Sequence, residues 1–269
     1  MHDLTARYGP WALLCGASEG LGGAIAAEYA RHGVNLVLVA RREEVLDATA
    51  ARLRSEHGVE VRALVADLAA DDIWEQLQPA IADIDLGLFV YNACEGFRMA
   101  YLDDTLEHHE RGIAMNVRNP ALLAWHVGRQ FRGRGRGSLV ICCSMGGMGG
   151  QIGRAHYAAG KAYEWILCEG LWGELRDEGV DVLAYMVGTT ATPNLLRSLP
   201  VAADPAKQAE RFIQTPEACA ARLVEVLDQG PVAFPSDEHA ELMRDRATMS
   251  AAERVLGTAM SWTAPPSRT

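Results

Sequence analysis

Short apolar segments alternate with longer amphipathic segments along the chain, from the first residues to about residue 187. The short segments are largely apolar and are bounded by Gly, Asp, Asn or Ser, which is typical of strands. Six strands are predicted in this way: Trp11–Cys15, Asn35–Ala40, Val59–Ala66, Leu86–Tyr91, Leu139–Cys143 and Val182–Val187. Because these segments lack a polar face, they indicate a sheet that helices cover on both sides.

The longer segments carry apolar residues at helical spacing and lie between the strands. Five helices are predicted: Leu21–His32, Glu43–His57, Asp72–Ile81, Thr105–Phe131 and His156–Glu178. A repeated strand–helix–strand order implies right-handed crossovers between parallel strands. The sequence therefore predicts an α/β fold, with a doubly wound parallel sheet between two layers of helices.

The alternation loosens after Val187. Thr215 and Pro216 predict the N-cap and first position of a further helix, which continues to about Gln229. Val232–Phe234 follows as a candidate edge strand, and the tail after residue 262 is expected to be loosely ordered. Because no linker or repeat is visible, residues 1–269 are interpreted as one domain, with residues 189–214 as a substrate-side insertion.

Composition narrows the class of protein. The 269 residues are 49% apolar and 22% charged, and 25 Lys and Arg against 35 Asp and Glu give a net charge of −10. Such an acidic chain repels phosphate backbones, which disfavours a nucleic-acid partner. No apolar run approaches the roughly 18 residues of a membrane span, and no secretory signal is visible. The six cysteines lack metal-ligand spacing, so we expect a cytoplasmic protein without a metal.

A glycine-rich turn follows the first predicted strand and leads into the first predicted helix. Gly16, Gly20 and Gly22 allow the backbone to turn sharply and to approach a pyrophosphate without an intervening Cβ. The helix N-terminus that follows offers free N–H groups and the positive end of a dipole. Placed between strand and helix, the turn predicts a dinucleotide site.

The same turn also matches the G-x-S-x-G nucleophile elbow of serine hydrolases, with Ser18 as the nucleophile. Asp237 and His239 would then supply the acid and the base. This alternative is disfavoured because the elbow usually follows several strands, and because it gives no reason for Gly22.

The second predicted strand ends at Ala40 and is followed by Arg41 and Arg42. Folds of this type that prefer NAD place an acidic residue there to hold the ribose hydroxyls. Two guanidinium groups instead suit a 2′-phosphate, which predicts NADP(H) rather than NAD(H). The alternative is that both arginines are only solvated residues at the start of a helix.

Tyr157 and Lys161 lie four residues apart on a predicted helix, so they share one face. A nearby ammonium stabilises a phenolate and is expected to lower the tyrosine pKa, which suits a proton donor and acceptor. Ser144 follows a strand at the sheet edge where doubly wound folds bind their ligands. The three residues therefore predict a catalytic site at that edge.

Together these positions resemble the short-chain dehydrogenase/reductase family. The matching residues are Gly16, Gly20, Gly22, Asp67, Asn92, Ala93, Asn116, Ser144, Tyr157, Lys161, Gly188 and Thr192. They occur in the family's order and spacing over about residues 8–195. The resemblance implies a Rossmann-type fold of the single-domain branch, a nicotinamide coenzyme, and interconversion of a secondary alcohol and a ketone.

The resemblance also implies a role for each matching residue. Tyr157 would be the general acid/base, and Lys161 would hold the nicotinamide ribose while tuning Tyr157. Ser144 would hydrogen-bond the substrate oxygen, and Asn116 would anchor a water in the proton relay. The adenine would meet Asp67.

The other coenzyme contacts implied by the resemblance lie along one edge of the predicted sheet. The whole set is Gly16, Ser18, Glu19, Gly20, Leu21, Gly22, Arg41, Arg42, Asp67, Leu68, Asn92, Ala93, Tyr157, Lys161, Gly188, Thr190 and Thr192. Asn92 and Ala93 would line the adenosine side, and the stretch from Gly188 to Thr192 would hold the carboxamide.

Four residues depart from the family pattern: Cys15, Tyr91, Cys94 and Val187. Cys94 stands where the family has a glycine and adds bulk beside the coenzyme ribose. None of the four replaces a reacting group, so they bear on affinity and pocket shape more than on reaction type.

The expected pocket wall is mostly apolar and flexible. It comprises Cys94, Glu95, Phe97, Met99, Met145, Met148, Gln151, Ile152, Leu195, Leu196, Leu199 and Phe212. Since it includes no arginine fork for an anionic group, it predicts a bulky apolar substrate, steroid-like or terpenoid-like. The alternative is that many of these residues form core or a subunit interface.

The sequence also bears on the oligomeric state and on the choice between an enzyme and a protein that only binds its coenzyme. In similar proteins the long helices Thr105–Phe131 and His156–Glu178 pair between subunits, which implies a homodimer or homotetramer. A protein that binds NADP(H) without turnover is the alternative to an enzyme, and the intact Asn116, Ser144, Tyr157 and Lys161 set favours the enzyme. An epimerase or dehydratase would usually need a larger C-terminal region.

Overall fold

A computed structural model describes residues 3–96, 99–193, 195 and 214–259. Seven parallel strands form one sheet in the order β3-β2-β1-β4-β5-β6-β7. They are β1 (Trp11–Cys15), β2 (Asn35–Ala40), β3 (Val61–Val65), β4 (Leu86–Tyr91), β5 (Gly137–Ser144), β6 (Val180–Val187) and β7 (Val232–Ala233). The predicted α/β class and doubly wound parallel sheet are thereby confirmed.

Helices pack on both faces of this sheet. Those with eight or more residues in the described part of the chain are α2 (Gly20–Arg31), α3 (Glu43–His57), α4 (Ile73–Ile81), α5 (Leu106–Ile113), α6 (Asn119–Arg134), α7 (Ala155–Leu175), α8 (Pro216–Val226), α9 (Asp237–Thr248) and α10 (Ala251–Ala259). A short α1 (Leu4–Tyr8) precedes β1, and the Asp3 side chain caps it by accepting from Ala6 N–H. α1, α9 and α10 were not predicted from the sequence.

The wholly apolar strands are explained by two separate cores. In β1, Ala12 and Leu14 pack into the core on one face of the sheet, whereas Leu13 and Cys15 pack into the core on the other. Successive side chains of a strand point to opposite faces, so a strand between two helical layers needs apolar residues at every position.

One predicted helix, Thr105–Phe131, is interrupted. The structure divides it into α5, a π-helical turn from Ala114 to Arg118, and α6. Pro120 has no N–H to donate to the carbonyl four residues before it, and within the turn Asn119 N–H donates to Ala114 O, five residues back. The wider turn therefore corrects the prediction of one continuous helix.

The strand order reverses between β1 and β4, which both pair with their outer neighbours in parallel. Helices leave the sheet in opposite directions at such a point and open a crevice beyond the carboxyl ends of the strands. The residues that follow β1, β4, β5 and β6 meet at this edge.

Candidate active site

The glycine turn is packed tightly against the end of β4. Gly16 has φ +84°, and a Cβ there would lie 2.8 Å from the backbone nitrogen of Ala93. A Cβ at Gly22 would lie 2.0 Å from Gly16 O, the same oxygen that accepts a 2.9 Å hydrogen bond from Asn92 Nδ2. Glycine is therefore required at both positions, and Asn92 fixes the turn to β4.

The N-terminus of α2 opens at the sheet edge beside this turn. Its N-cap residue, Glu19, makes no side-chain capping bond to the helix. The first N–H groups of a helix have no partner within the helix, so this end presents donors and a positive dipole. Thr192 lies next to Gly20, where a Cβ would be 3.2 Å from the Thr192 side chain.

Both arginines after β2 are exposed, and Arg42 reaches back to the glycine turn. Its guanidinium pairs with Glu19 at 2.8 Å and lies 3.4 Å from Ser18 Oγ. β2 and β1 are adjacent strands, so the ends of both arrive at the same place. The structure thus brings Ser18, Glu19 and Arg42 together, as the coenzyme prediction requires.

Asp67 follows β3 and is held by a residue that sequence analysis missed. Arg111 donates to both Asp67 carboxylate oxygens, at 2.8 and 3.0 Å, and its Nε donates to Glu95 at 2.8 Å. The hydrogen bonds from Arg111 hold the pKa of Asp67 below its ordinary value. Asp67 also accepts from Ala69 N–H.

Asn116 lies in the π-helical turn and is fully buried. Its side chain donates to Glu95 O at 3.0 Å and accepts from Glu95 N–H at 2.8 Å. Asn116 therefore clamps the segment after β4. Glu95, which was predicted to line the pocket, is also paired with Arg111.

The hydroxyl of Ser144 and the ring of Tyr157 lie close together, since a Cβ at Gly146 would be 3.2 Å from both Ser144 Oγ and Tyr157 Cε1. Ser144 ends β5 and also accepts from Gly146 N–H at 3.0 Å, which fixes its hydroxyl. The guanidinium of Arg154 lies 4.1 Å from the centre of the Tyr157 ring. The structure thus brings the predicted acid/base together with its predicted partner, and adds a cation that was not predicted.

The pKa of Tyr157 differs in direction from the sequence prediction. Desolvation of the hydroxyl raises the pKa, and this outweighs the lowering by Lys161, Arg154 and the Ser144 hydrogen bond. The predicted effect of Lys161 is present, but the net pKa lies above the ordinary value. Burial of the neutral phenol therefore dominates in the isolated chain.

Lys161 has a buried partner that sequence analysis also missed. Its Nζ donates to Cys142 O at 2.9 Å and to Glu164 Oε2 at 2.7 Å. Burial lowers the pKa of Lys161, but Glu164 opposes this and the net pKa is raised. The i, i+3 spacing of a lysine and an acid on a largely apolar helix was the signal available for this pair.

The predicted pocket residues are only partly placed. Met145 is buried, and Met148, Gln151 and Leu195 are half-buried. Cys94, Met99 and Ile152 are exposed, whereas Phe97, Leu196, Leu199 and Phe212 lie outside the described residues. Arg254 and Val255 of α10 pack on Gly149 and Gly150, so this C-terminal helix covers the loop after β5.

The stretch after β6 packs against α9. A Cβ at Gly188 would lie 2.0 Å from His239 Nε2, and Thr190 is buried with its hydroxyl donating to Gly188 O at 3.3 Å. His239 Nδ1 lies 2.8 Å from the Ser236 hydroxyl. His239 is thus engaged at the carboxyl end of β6.

The hydrolase alternative is not supported by these contacts. The Ser18 hydroxyl faces Arg42, whereas the side chain of Asp237 is 96% exposed and lies 3.9 Å from Arg222. A nucleophile, a base and an acid in mutual hydrogen-bond contact are what the triad needs.

The described residues also bear on metal and membrane sites. No group of three or more His, Cys, Asp or Glu side chains there is arranged to hold a metal ion. No helix among them is long and apolar enough to cross a membrane.

The sequence is similar to those of known dehydrogenases. A family model described as short chain dehydrogenase matches residues 10–199. A 7beta-hydroxysteroid dehydrogenase of Clostridium sardiniense is 35% identical over 198 residues, which cover 74% of this chain and 76% of that protein. One from Collinsella aerofaciens is 34% identical over 217 residues, or 81% and 82% of the two chains.

Solved structures give the same picture. The structure of a 7beta-hydroxysteroid dehydrogenase studied for its stereoselectivity superposes with a TM-score of 0.90 at 31% identity, covering 96% of this chain and 100% of that one. A short-chain dehydrogenase from Sphingobium yanoikuyae in complex with NADPH has a TM-score of 0.77 at 28% identity, with coverage of 97% and 98%.

Proposed function

The chain belongs to the short-chain dehydrogenase/reductase family, and on that premise we propose an NADP(H)-dependent enzyme that interconverts a secondary alcohol and a ketone on a steroid-like substrate. Membership itself makes it an oxidoreductase for CH–OH or C=O groups with a nicotinamide coenzyme. The observation that carries the finer proposal is the proximity of the Ser144 hydroxyl to the Tyr157 ring, with Lys161 one turn further along α7.

The residues at the sheet edge fit a dinucleotide. Neighbouring backbone atoms occupy the space that a Cβ at Gly16 or Gly22 would need. Beside this turn, the N-terminus of α2 has no side-chain cap and suits an anion. Asp67, Asn92 and Ala93 are proposed to hold the adenosine side. Gly188, Thr190 and Thr192 with Leu21 and Leu68 complete the proposed contacts.

The chain's own residues are proposed to handle the proton. The bound coenzyme supplies or accepts the hydride. In the reducing direction Tyr157 Oη donates its proton to the substrate oxygen, and the Ser144 hydroxyl donates a hydrogen bond to the same atom. Both donors are fixed before reaction, so the negative charge that develops on that oxygen is stabilised without reorganisation.

Lys161 and Asn116 are proposed to support this proton transfer. An ammonium has three donors, of which one engages Cys142 O and one Glu164. The third is proposed to hold a ribose hydroxyl of the coenzyme. Asn116 is proposed to anchor a water that returns the proton to Tyr157, and its two bonds to Glu95 support a fixed position for it.

A preference for NADP(H) is supported by Arg41, Arg42 and Ser18. Arg42 lies within reach of the Ser18 hydroxyl and is oriented by Glu19, which supports its guanidinium as a partner for a 2′-phosphate. The Sphingobium relative was crystallised with NADPH. An acidic residue in place of Ala40 would have favoured NAD(H).

A steroid-like substrate is supported by the 7beta-hydroxysteroid dehydrogenases that the chain resembles. Met145 and Met148 belong to the loop after Ser144, and thioether side chains adapt to rigid apolar ring systems. Cys94, Gln151 and Leu195 are proposed to complete the wall.

The test is a substrate panel followed through the absorbance of reduced nicotinamide. Ring ketones of steroids are compared with short ketones and with keto acids, each with NADPH and with NADH. We expect turnover on steroid ketones with NADPH, and loss of turnover in Tyr157→Phe with coenzyme binding retained. Coenzyme binding without turnover on any ketone or alcohol would instead indicate a sensor.

Assembly and location are proposed from the outer surface of the two long helices and from the cysteines. The outer face of α7 carries an apolar groove that includes Tyr163, Ile166 and Leu171, with Ile166 58% exposed. Trp125 of α6 is 55% exposed, so α6 and α7 both offer apolar surface to a second copy in a homodimer or homotetramer. All six cysteines are unpaired, which suits the cytoplasm.

A further inference from the structure

Glu164 is a carboxyl group in the interior that the proposed mechanism does not use. It lies on α7, its side chain is 0% exposed, and Oε2 accepts from Lys161 Nζ at 2.7 Å. Oε1 has no hydrogen-bond partner within the described part of the chain. A buried carboxylate with one unsatisfied oxygen is costly, so its retention calls for a role beyond packing.

We propose that Glu164 is a positioning residue that cancels most of the charge of Lys161 and thereby sets how readily Tyr157 gives up its proton. The inference rests on the proposed role of Tyr157 as acid/base. An unpaired ammonium would stabilise the phenolate, whereas an ammonium–carboxylate pair acts on it as a dipole with little net charge.

The geometry supports this cancellation. Tyr157, Lys161 and Glu164 lie along α7, with the lysine between the other two. Tyr157 and Glu164 are two helical turns apart, or roughly 10 Å along the axis. At that separation and an effective dielectric constant of about 20, one unit charge shifts a pKa by about one unit.

At neutral pH the other titratable groups around Glu164 carry no charge, so they do not take over its role. They are the thiols of Cys142 and Cys143 on β5, and Tyr91 and Cys94 at the end of β4. Desolvation raises the pKa of all four groups. Lys161 is the cation that lowers the pKa of Glu164, which burial raises above its ordinary value.

The test compares Glu164→Gln with the wild type. The amide retains the length of the side chain and an oxygen that accepts from Lys161, but it removes the negative charge. The variant loses the carboxylate that opposes the effect of burial on the pKa of Lys161, while Cys142 O and the new amide oxygen still accept from the ammonium. At any pH at which Lys161 carries its proton, the net charge near Tyr157 increases by one and the phenol becomes more acidic.

The readout is a spectrophotometric titration of phenolate in the coenzyme-free protein. The chain has seven tyrosines, so the Tyr157 signal is taken as the difference between each protein and its Tyr157→Phe counterpart. We expect the midpoint to fall by about one unit in Glu164→Gln. The pH profile of alcohol oxidation should shift by the same amount and in the same direction.

Glu169→Gln is the matched control. Glu169 lies on the same helix and accepts from Trp165 Nε1 at 2.7 Å, so the variant makes the same chemical change away from Lys161. An unchanged midpoint in Glu164→Gln, or an equal shift in Glu169→Gln, would overturn the proposal.

If Glu164→Gln does not fold, Glu164→Met carries no charge and is judged by the same criterion. Because the titration needs neither substrate nor coenzyme, it separates this inference from the proposed function. A shifted midpoint in a protein that turns over no ketone supports the inference and contradicts the function.

Discussion

The side chain of Asn116 forms two hydrogen bonds with the backbone of Glu95, one through each end of its amide group. This pairing joins the π-helical turn to the segment that follows β4. It also continues through Arg111, which binds the Glu95 carboxylate and both oxygens of Asp67. The proposed adenine side and the proposed proton relay are therefore parts of one bonded network.

Asn116→Ala should destabilise the protein and slow turnover. The substitution removes the partners of two partly buried backbone groups, which costs about 1–3 kcal/mol in the free energy of unfolding. Chemical denaturation measures the loss, and steady-state kinetics measure the turnover. Asn35→Ala is the control, because Asn35 makes one exposed bond to Glu60 N–H. Equal losses in the two variants would contradict the prediction.

Gly22→Ala and Gly23→Ala should have opposite effects although the two glycines are adjacent. A Cβ at Gly22 would lie 2.0 Å from Gly16 O, whereas the nearest atom to a Cβ at Gly23 is 3.8 Å away. Gly22→Ala should thus weaken coenzyme binding at least tenfold or prevent folding. Gly23→Ala should preserve binding and stabilise α2 by about 0.5–1 kcal/mol. Coenzyme titration with thermal unfolding provides both measurements.

Arg42→Ala and Arg41→Ala should reduce the preference for NADP(H). Loss of one guanidinium contact to a phosphate is expected to raise the Kd of NADPH by about tenfold, and to leave the Kd of NADH nearly unchanged. Arg52→Ala on α3 removes an exposed arginine that pairs with Glu56, and serves as the control. Unchanged NADPH affinity in both Arg41→Ala and Arg42→Ala would refute the assignment of the 2′-phosphate site.

The stabilisation provided by Asp67 should disappear in acid. Arg111 holds its pKa below the ordinary 3.8, so the native state favours the carboxylate. That stability is fully present above pH 3.8 and is lost as the pH falls through the lowered native value. Thermal unfolding of the coenzyme-free protein should show Asp67→Asn less stable than the wild type at pH 7, with the gap closing in acid.

Asp177→Asn serves as the control for that pH series, because its side chain is 87% exposed. It should differ little from the wild type at any pH. A gap between Asp67→Asn and the wild type that stayed constant down to pH 2 would argue against the Arg111 pairing as its cause.

Ile166→Arg should convert the proposed oligomer into a monomer. A charge on the outer face of α7 cannot be buried against a second copy without a large desolvation penalty. Sedimentation velocity measures the change in mass, and circular dichroism checks that the fold remains. Leu256→Arg on α10 is the control, since Leu256 is 63% exposed on a different surface. A wild-type protein that sediments as a monomer would rule the proposal out.

Sequence patterning was sufficient for most of the framework. β1, β2, β4 and α3 have the predicted bounds, and β5 and β6 begin two residues earlier than predicted. Apolar runs and the polar residues that end them are local features, which is why they can be recognised without coordinates. Motif residues after β1, β4, β5 and β6 necessarily meet, because parallel strands end at one edge.

The interruption of the predicted helix Thr105–Phe131 was harder to predict from the sequence. Pro120 is visible in the sequence, but a proline inside a long helix can leave that helix continuous with a kink. The widened turn is stabilised by bonds between Asn116 and Glu95, which are distant in the sequence. They are brought together by the packing of the π-helical turn against the end of β4, where the Tyr91 hydroxyl donates to Met115 O at 2.6 Å.

By itself, the sequence determined the fold class and the family and proposed a set of reacting side chains, because each depends on residue type and spacing along the chain. The tertiary structure decided the electrostatics. Burial raises the pKa of Tyr157 although Lys161 lies one turn away, and Glu164 and Arg111 take positions beside the predicted residues. Desolvation and ion pairing depend on which groups surround a side chain in space, and spacing along the chain does not specify that.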